Sequence, residues 1–249
     1  MIVSDTHKFV FVQIPHTGST GLGRLLVEQY GGREILRKHS YLDELKTAFP
    51  DIYRDYYIIG GVRNPLDDRV SSYFKLKSDH MGLYSGQLKD KKAIPGGKRT
   101  RKMHQLILEK DLSFSDYFVQ FVPLVYWNPI SIQQQRYNQI YRFESLDADM
   151  LAFSKAIGVD PIILPKSNKT AGRDTDFTQY YDTRAQEHAR KIFTPFMDAF
   201  GYDFPDDWAS GQTPGWVATN TAFAIRRAQW KLQNLRANRL ARRKGPMNT

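Results

Sequence analysis

The chain carries the sequence VQIPHTGSTG at residues 12–21. The residues FVFV at 9–12 lead into it and have the pattern of a buried strand, and residues 22–30 have the apolar spacing of a helix. A strand, a short Gly/Ser/Thr loop and a helix form a phosphate-binding geometry, because loop N–H groups converge on the anion and the helix dipole favours negative charge. The stretch predicts such a loop; the alternative is an ordinary turn capped by Thr17 or Ser19.

The loop differs from that of nucleoside-triphosphate P-loops, which read G-x-x-x-x-G-K-[ST]. With Gly18 as the second glycine, Gln13 takes the place of the first glycine and Ser19 the place of the lysine. The lysine that reaches the β- and γ-phosphates is therefore missing. This disfavours an ATPase or a nucleotide kinase.

A second segment follows another apolar run. Residues 56–62 read as a buried strand, and the sequence Arg63-Asn64-Pro65 comes directly after it, with a helix predicted over 65–77. Arg63 is thereby placed at the carboxyl end of a strand, where open α/β sheets bind ligands, and its guanidinium suits a phosphate. Ser71 adds a hydroxyl two turns into the helix. The alternative is a surface arginine on a solvated helix.

The two segments together resemble the sulfotransferases that use 3′-phosphoadenosine 5′-phosphosulfate (PAPS), especially their carbohydrate and bacterial branch. That family has a loop of the type IPKTGGT after its first strand and a motif of the type RNPxxRxxSxY after a later one. Weaker similarities lie at 38–39, 141–146, 164–170 and 200–204, so the resemblance covers about residues 8–204. It implies an α/β fold of the P-loop-like, three-layer kind, with a mainly parallel central sheet flanked by helices.

The resemblance also implies roles for individual residues. The 5′-phosphosulfate would be bound by the loop, and the 3′-phosphate by Arg63 and Ser71. The loop residues concerned are Pro15, His16, Thr17, Gly18, Ser19 and Thr20. Asn168 and Lys169 match a family segment near the donor. His39 stands where carbohydrate sulfotransferases have a histidine that serves as general base, a role that suits a group titrating near neutral pH. Glu44 is a rival base.

Two positions depart from the family pattern. The loop lysine of the family is His16 here, and the second arginine of the later motif is Asp68, with Arg69 displaced by one position. His16 is predicted to be catalytic, donating to the leaving oxygen as an imidazolium or as a neutral N–H; in the alternative, backbone amides do this work and His16 points at solvent. We expect activity to depend on pH through this residue.

The predicted reaction moves a sulfuryl group from PAPS to a hydroxyl, releasing 3′-phosphoadenosine 5′-phosphate (PAP). The acceptor is expected to be a carbohydrate or glycolipid, or another small molecule with a hydroxyl. No metal is expected, because the spacing of His16 and His39 fits no usual ligand pattern. The alternative function is a catalytically weak protein that binds nucleotides or polyanions and retains the fold.

The composition of the chain bears on its core, its disulfides and its cellular location. The chain has 249 residues with 41% hydrophobic content, so it can bury one sizeable core, and it has no cysteine to form a disulfide. No apolar run reaches the roughly 18–20 residues that span a bilayer, and a strand from residue 8 leaves no room for a signal peptide. We expect a cytoplasmic protein.

The net charge of +10 is concentrated at one end. Residues 220–249 hold eight basic residues and no acidic one, which leaves +2 for residues 1–219. We predict a sulfotransferase domain over 1–215, with a basic acceptor loop at 78–102, and a basic helix and tail over 216–249. The tail is predicted to dock through the apolar residues around Trp230; its Arg-rich end is open to contact with a membrane surface or a polyanion, and no specific nucleic acid is expected.

Overall fold

The structure, a computed structural model, describes residues 1–85, 97–133, 136–164, 172–208 and 216–243. It divides into two compact units. The sheet unit comprises Met1–Arg63, Trp127–Ser167 and Asn220–Thr249, and the helical unit comprises Asn64–Tyr126 and Asn168–Thr219.

The sheet unit contains five strands. They are β1 (Ile2–Ser4), β2 (Phe9–Val12), β3 (Arg33–Glu34), β4 (Tyr57–Val62) and β5 (Gln139–Arg142), in the order β3-β1-β2-β4-β5. β2, β4 and β5 run parallel, and β1 is antiparallel to both β2 and β3. The predicted parallel centre is therefore confirmed, with an antiparallel edge added to it.

Helices separate β2 from β3, β3 from β4 and β4 from β5, and further helices follow β5. They are α1 (Ser19–Gln29), α2 (Leu42–Ala48), α3 (Pro50–Asp55), α4 (Pro65–Lys77), α5 (Gly97–Glu109), α6 (Phe114–Phe121), α7 (Pro129–Gln133), α8 (Leu146–Ile157), α9 (Thr183–Phe200) and α10 (Trp216–Arg243). α5 corrects the sequence prediction, since residues 97–102 are helical rather than part of a loop. Residues 86–96 of the predicted acceptor loop lie outside the described residues. α9 runs on through Pro195.

Side chains along β2 point to alternate faces of the sheet and contribute to the core of the sheet unit. Phe9 and Phe11 point to one face of the sheet and pack with α1 and α8. On the same face, a Cβ at Gly61 would come within 2.2 Å of the Tyr141 ring, so only glycine fits there. On the opposite face, Ile130 of α7 approaches Gly60. Helices therefore cover both faces of the sheet, which confirms the three-layer arrangement.

The helical unit has an aromatic core of its own. Buried rings from α4, α6 and α9, from Tyr181 and from the segment after α9 contact one another, some edge to face and some at a tilt. They include Tyr73, Phe114, Phe118, Tyr181, Phe193 and Trp208. α4 begins as its sequence predicts, because Asn64 accepts a hydrogen bond from the Leu66 N–H at 2.9 Å and Pro65 occupies the first turn.

The part of α10 that belongs to the sheet unit has one packed face. Phe223 is buried, and Trp230, two turns later, lies 5.9 Å from the ring of Tyr41. Arg226 lies over the Trp127 ring at 5.6 Å. Among the described helices, none combines the length and the apolar character needed to cross a membrane.

Candidate active site

The loop between β2 and α1 has a backbone suited to an anion. His16 and Gly18 adopt left-handed conformations, with φ of 68° and 75°. Gly18 is the N-cap of α1, and no side chain of the described residues caps the helix there. The first N–H groups of a helix have no partner within the helix, so this end of α1 presents donors and the positive end of its dipole.

The hydroxyls of Thr17 and Ser19 shape the loop from within. Both residues are buried, and both hydroxyls donate to the Ile14 carbonyl, at 2.9 and 2.7 Å. The Tyr141 hydroxyl donates to the Thr17 carbonyl at 3.2 Å, and burial raises the pKa of Tyr141, which keeps it protonated. The sequence predicts ligand contacts for these two hydroxyls; the structure shows them bonded to the loop's own backbone.

The exposed side of the loop is formed by other residues. Pro15, His16, Gly18 and Thr20 are all exposed to solvent. A Cβ at Gly18 would lie 3.3 Å from the Phe143 ring, and its φ is positive, so glycine is required for the turn.

Arg63 directly follows β4, as predicted, and contacts the loop. Its Nη1 donates to the His16 carbonyl at 3.2 Å, and its guanidinium lies 4.4 Å from the centre of the Phe143 ring. The side chain is almost fully buried. Within the sheet unit, the structure therefore brings together the predicted loop and the predicted phosphate-binding arginine.

His39 is also anchored to the loop. Its Nδ1 lies 2.6 Å from the Gln13 carbonyl oxygen, and because a carbonyl can only accept, Nδ1 carries the proton. In the neutral ring, Nε2 then holds the lone pair. Burial lowers the pKa of His39 and outweighs the bond to Gln13, and the charges of Lys38 and His16 lower it further. A lowered pKa favours the neutral ring; the role of His39 as general base stays a prediction.

The structure adds a residue that the sequence analysis leaves without a role. Lys38, next to His39, donates from Nζ to the Thr20 hydroxyl at 2.9 Å. The only signal for it in the sequence is its place in the weak similarity at 38–39. Glu44, the rival base, accepts from the Tyr41 N–H at 2.9 Å and caps α2. It has a structural role, because Tyr41 is the N-cap of that helix.

The helical unit holds the other predicted phosphate residue. Ser71 is buried and accepts a hydrogen bond from Arg173, which also pairs with the Asp67 carboxylate. Ser71 of the later family motif is therefore bonded to Arg173 within this unit. Asn168 and Lys169 lie outside the described residues.

Asp68, at the position of the family's second arginine, pairs with its neighbour. Its carboxylate is 2.6 Å from Arg69, whose guanidinium lies 5.1 Å from the centre of the Tyr126 ring. Burial lowers the pKa of Arg69, but Asp68, Tyr126 and Tyr117 together outweigh burial, so the pKa is raised. The displaced arginine is thus part of an internal ion pair.

No group of three or more His, Asp and Glu suited to a metal ion occurs within the described part of the chain.

Comparison with known proteins gives one match. The model of a family described as "Sulfotransferase family" matches residues 1–203. No curated protein and no solved structure matches the chain.

Proposed function

Because the chain belongs to the sulfotransferase family, we propose that it transfers the sulfuryl group of PAPS to a hydroxyl acceptor by in-line displacement. Sulfuryl transfer in general follows from the family; the donor, the acceptor and the roles of single residues are the proposal. The observation that carries it is His39, which is bonded through Nδ1 to the first loop residue and so keeps Nε2 free to accept a proton beside the anion-binding end of α1.

Residues of the sheet unit have separate roles in the proposed reaction. The backbone of 16–20 and the start of α1 bind the phosphosulfate, which places sulfur near the loop. His39 removes the proton from the acceptor hydroxyl as its oxygen attacks sulfur. Arg63 supports the loop through the His16 carbonyl, and its guanidinium binds the donor's 3′-phosphate. Positioning and electrostatics then supply most of the rate enhancement, as in phosphoryl transfer.

Calorimetry tests the donor. We expect PAP to bind more tightly than adenosine 5′-phosphate or ATP, because only PAP carries a 3′-phosphate. In Arg63→Gln the preference for PAP over adenosine 5′-phosphate should fall about 10- to 100-fold, the effect of one charged hydrogen bond. Arg54→Gln is the matched control, because Arg54 lies exposed on α3 in ion pairs with Asp51 and Asp55. A wild type without preference for PAP contradicts the proposal.

The second candidate is a catalytically weak protein that binds nucleotides and retains the fold. It is favoured by His16, which stands in the loop where a lysine would carry a permanent charge. Turnover of labelled PAPS with a panel of carbohydrate, glycolipid and small-molecule hydroxyls separates the two candidates, since a binding protein retains PAP affinity and leaves every acceptor unmodified.

We further propose that the outer face of α10 contacts an anionic lipid surface, which makes a cytoplasmic protein membrane-peripheral. Ile225 and Leu232 are exposed and seven residues apart, on the side of α10 opposite Phe223 and Trp230. Residues 220–249 add eight positive charges.

Co-sedimentation with phosphatidylserine-containing vesicles tests this contact. The full-length protein should bind them better than neutral vesicles, and the Ile225→Gln/Leu232→Gln variant should bind them less. Equal binding of both proteins would remove the idea.

A further inference from the structure

A donor phosphosulfate reacts faster when positive charge or hydrogen-bond donors lie where its bond breaks. When sulfur leaves the bridging oxygen, negative charge develops on that oxygen, and fixed positive charge or hydrogen-bond donors there lower the barrier. Residues 13–20 contain neither lysine nor arginine. A permanent positive charge at this point must therefore come from another segment of the chain.

Within the described residues, Lys38 and Arg63 are permanent cations that contact the loop, and they differ in exposure to solvent. Arg63 is buried, donates to the His16 carbonyl and packs on the Phe143 ring. Lys38 is exposed, and its ammonium rests on the Thr20 hydroxyl at 2.9 Å, in the first turn of α1. An ammonium has three donors, so Lys38 can keep this bond and still donate to a ligand.

The turn that carries Lys38 serves both ends of the loop. Ser40 N–H bonds to the Arg37 carbonyl at 3.1 Å, and the turn directs His39 to Gln13 and Lys38 to Thr20. One dipeptide thus places a base at the first loop residue and a cation at the last.

Electrostatics indicates what the ammonium is for. A positive charge at the N-terminal turn of a helix is unfavourable by itself, because the helix dipole is positive there. The first turn of α1 holds no acidic residue. An anion bound to the loop removes this conflict and is attracted by both the ammonium and the helix.

We propose that Lys38 is the leaving-group cation of this enzyme: it donates to the oxygen that bridges sulfur and the 5′-phosphate of PAPS. In the step, the acceptor oxygen forms a bond to sulfur, and the bond from sulfur to the bridging oxygen breaks. Its electron pair stays on the 5′-phosphate of PAP, and the acceptor proton goes to Nε2 of His39. Lys38 keeps its protons throughout. The inference rests on the proposed PAPS-dependent transfer.

Steady-state kinetics with labelled PAPS tests it on the full chain. Lys38→Ala should lower kcat about 10²- to 10³-fold, the effect of removing one donor to a developing oxyanion, and change KM for the acceptor little. Lys46→Ala is the matched control, because Lys46 is also an exposed lysine and lies over the Tyr53 ring on the neighbouring helices. It should retain wild-type turnover.

A rescue variant distinguishes charge from structure. Adding His16→Lys to Lys38→Ala returns an ammonium to the exposed side of the loop. The double variant should have a kcat at least tenfold higher than that of Lys38→Ala. If kcat does not recover, the role of Lys38 is overturned. The same holds if the wild type is active and Lys38→Ala has the same kcat as Lys46→Ala. Neither outcome contradicts the proposed function. A wild type that neither prefers PAP nor turns over PAPS overturns the proposed function, and the role of Lys38 with it.

Discussion

Two segments lack a basic residue that the family motif has: the loop between β2 and α1 in the sheet unit, and the first turns of α4 in the helical unit. Each has another cation beside it. At the loop, the cation is Lys38, exposed and held by a hydroxyl. In α4, it is Arg69, held by the carboxylate of Asp68, which is 1% exposed. Arg173 is likewise paired with Asp67 in the helical unit.

The difference lies in the partner. A hydroxyl leaves the charge of a lysine uncompensated, so the charge remains available to a ligand. A buried carboxylate neutralises an arginine, and the pair then stabilises the fold only as long as both members are present. We therefore expect substitutions around the loop to change activity and substitutions in α4 to change stability.

The largest effect should come from the base at the loop. His39→Asn keeps a donor to the Gln13 carbonyl and tolerates the positive φ of 67°, but has no lone pair that takes a proton. We expect kcat to fall about 10³-fold, within the range for general base catalysis, with the melting temperature unchanged.

His188→Gln is its control. The Nε2 of His188 bonds to the Val122 carbonyl within the helical unit, and the amide of glutamine replaces that donor. Turnover should be retained. A comparable loss of turnover in both variants would contradict the role of His39.

Breaking the ion pair between Asp68 and Arg69 in α4 should lower stability, unlike the substitution of His39. Asp68→Ala leaves the guanidinium of Arg69 beside Tyr126 without its carboxylate, and should lower the free energy of unfolding by about 3 kcal/mol. Urea denaturation measures this. Asp51→Ala removes an exposed partner of Arg54 and should leave the midpoint unchanged. If both variants have the urea midpoint of the wild type, the ion pair between Asp68 and Arg69 does not stabilise the fold.

The sheet beneath the loop offers a third contrast. Gly61→Ala places a methyl group against the Tyr141 ring, which is buried and bonded to Thr17, and should destabilise the protein by about 2 kcal/mol. Gly21→Ala adds the same methyl in α1, where nothing lies within 4 Å, and should stabilise it slightly. Thermal denaturation measures the melting temperatures of both variants. Equal melting temperatures would mean that the sheet shifts to make room for the methyl group at Gly61.

The smallest effect is a shift in pH dependence. The base must be deprotonated to act, so activity falls as the pH drops through the pKa of His39, which burial and the charge of Lys38 hold below about 6.5. Removing that charge in Lys38→Ala raises this pKa, and the acid limb of kcat/KM should move to higher pH. Lys46→Ala should leave the limb in place. A limb that stays or moves to lower pH in Lys38→Ala would show that the two charges do not interact.

The centre of the fold could be predicted because local patterns determine it. The strands before the loop and before Arg63 are apolar runs followed by turn residues, and both are present. β1 and β3 were missed because they have only three and two residues, too few for a pattern. α5 begins at Gly97 in a basic stretch that reads as a loop.

Side-chain direction in the site could not be predicted in the same way. Thr17 and Ser19 bond to the Ile14 carbonyl, yet their spacing fits a hydroxyl that faces a ligand equally well. The contact of Lys38 with Thr20 joins residues 18 apart and depends on the turn at 37–40, which only the folded backbone reveals. The predicted donor contacts of Arg63 and Ser71 remain predictions.

The packing of α10 on Tyr41 gives the protein an optical probe of its own. The indole of Trp230 lies 5.9 Å from the Tyr41 ring, two residues along the chain from His39. Light absorbed by Tyr41 is passed to Trp230 over this distance, so the emission of Trp230 reports on the turn that carries Lys38 and His39. Titration with PAP followed by tryptophan fluorescence, with Trp230→Phe as the blank, therefore reads the turn without any attached dye.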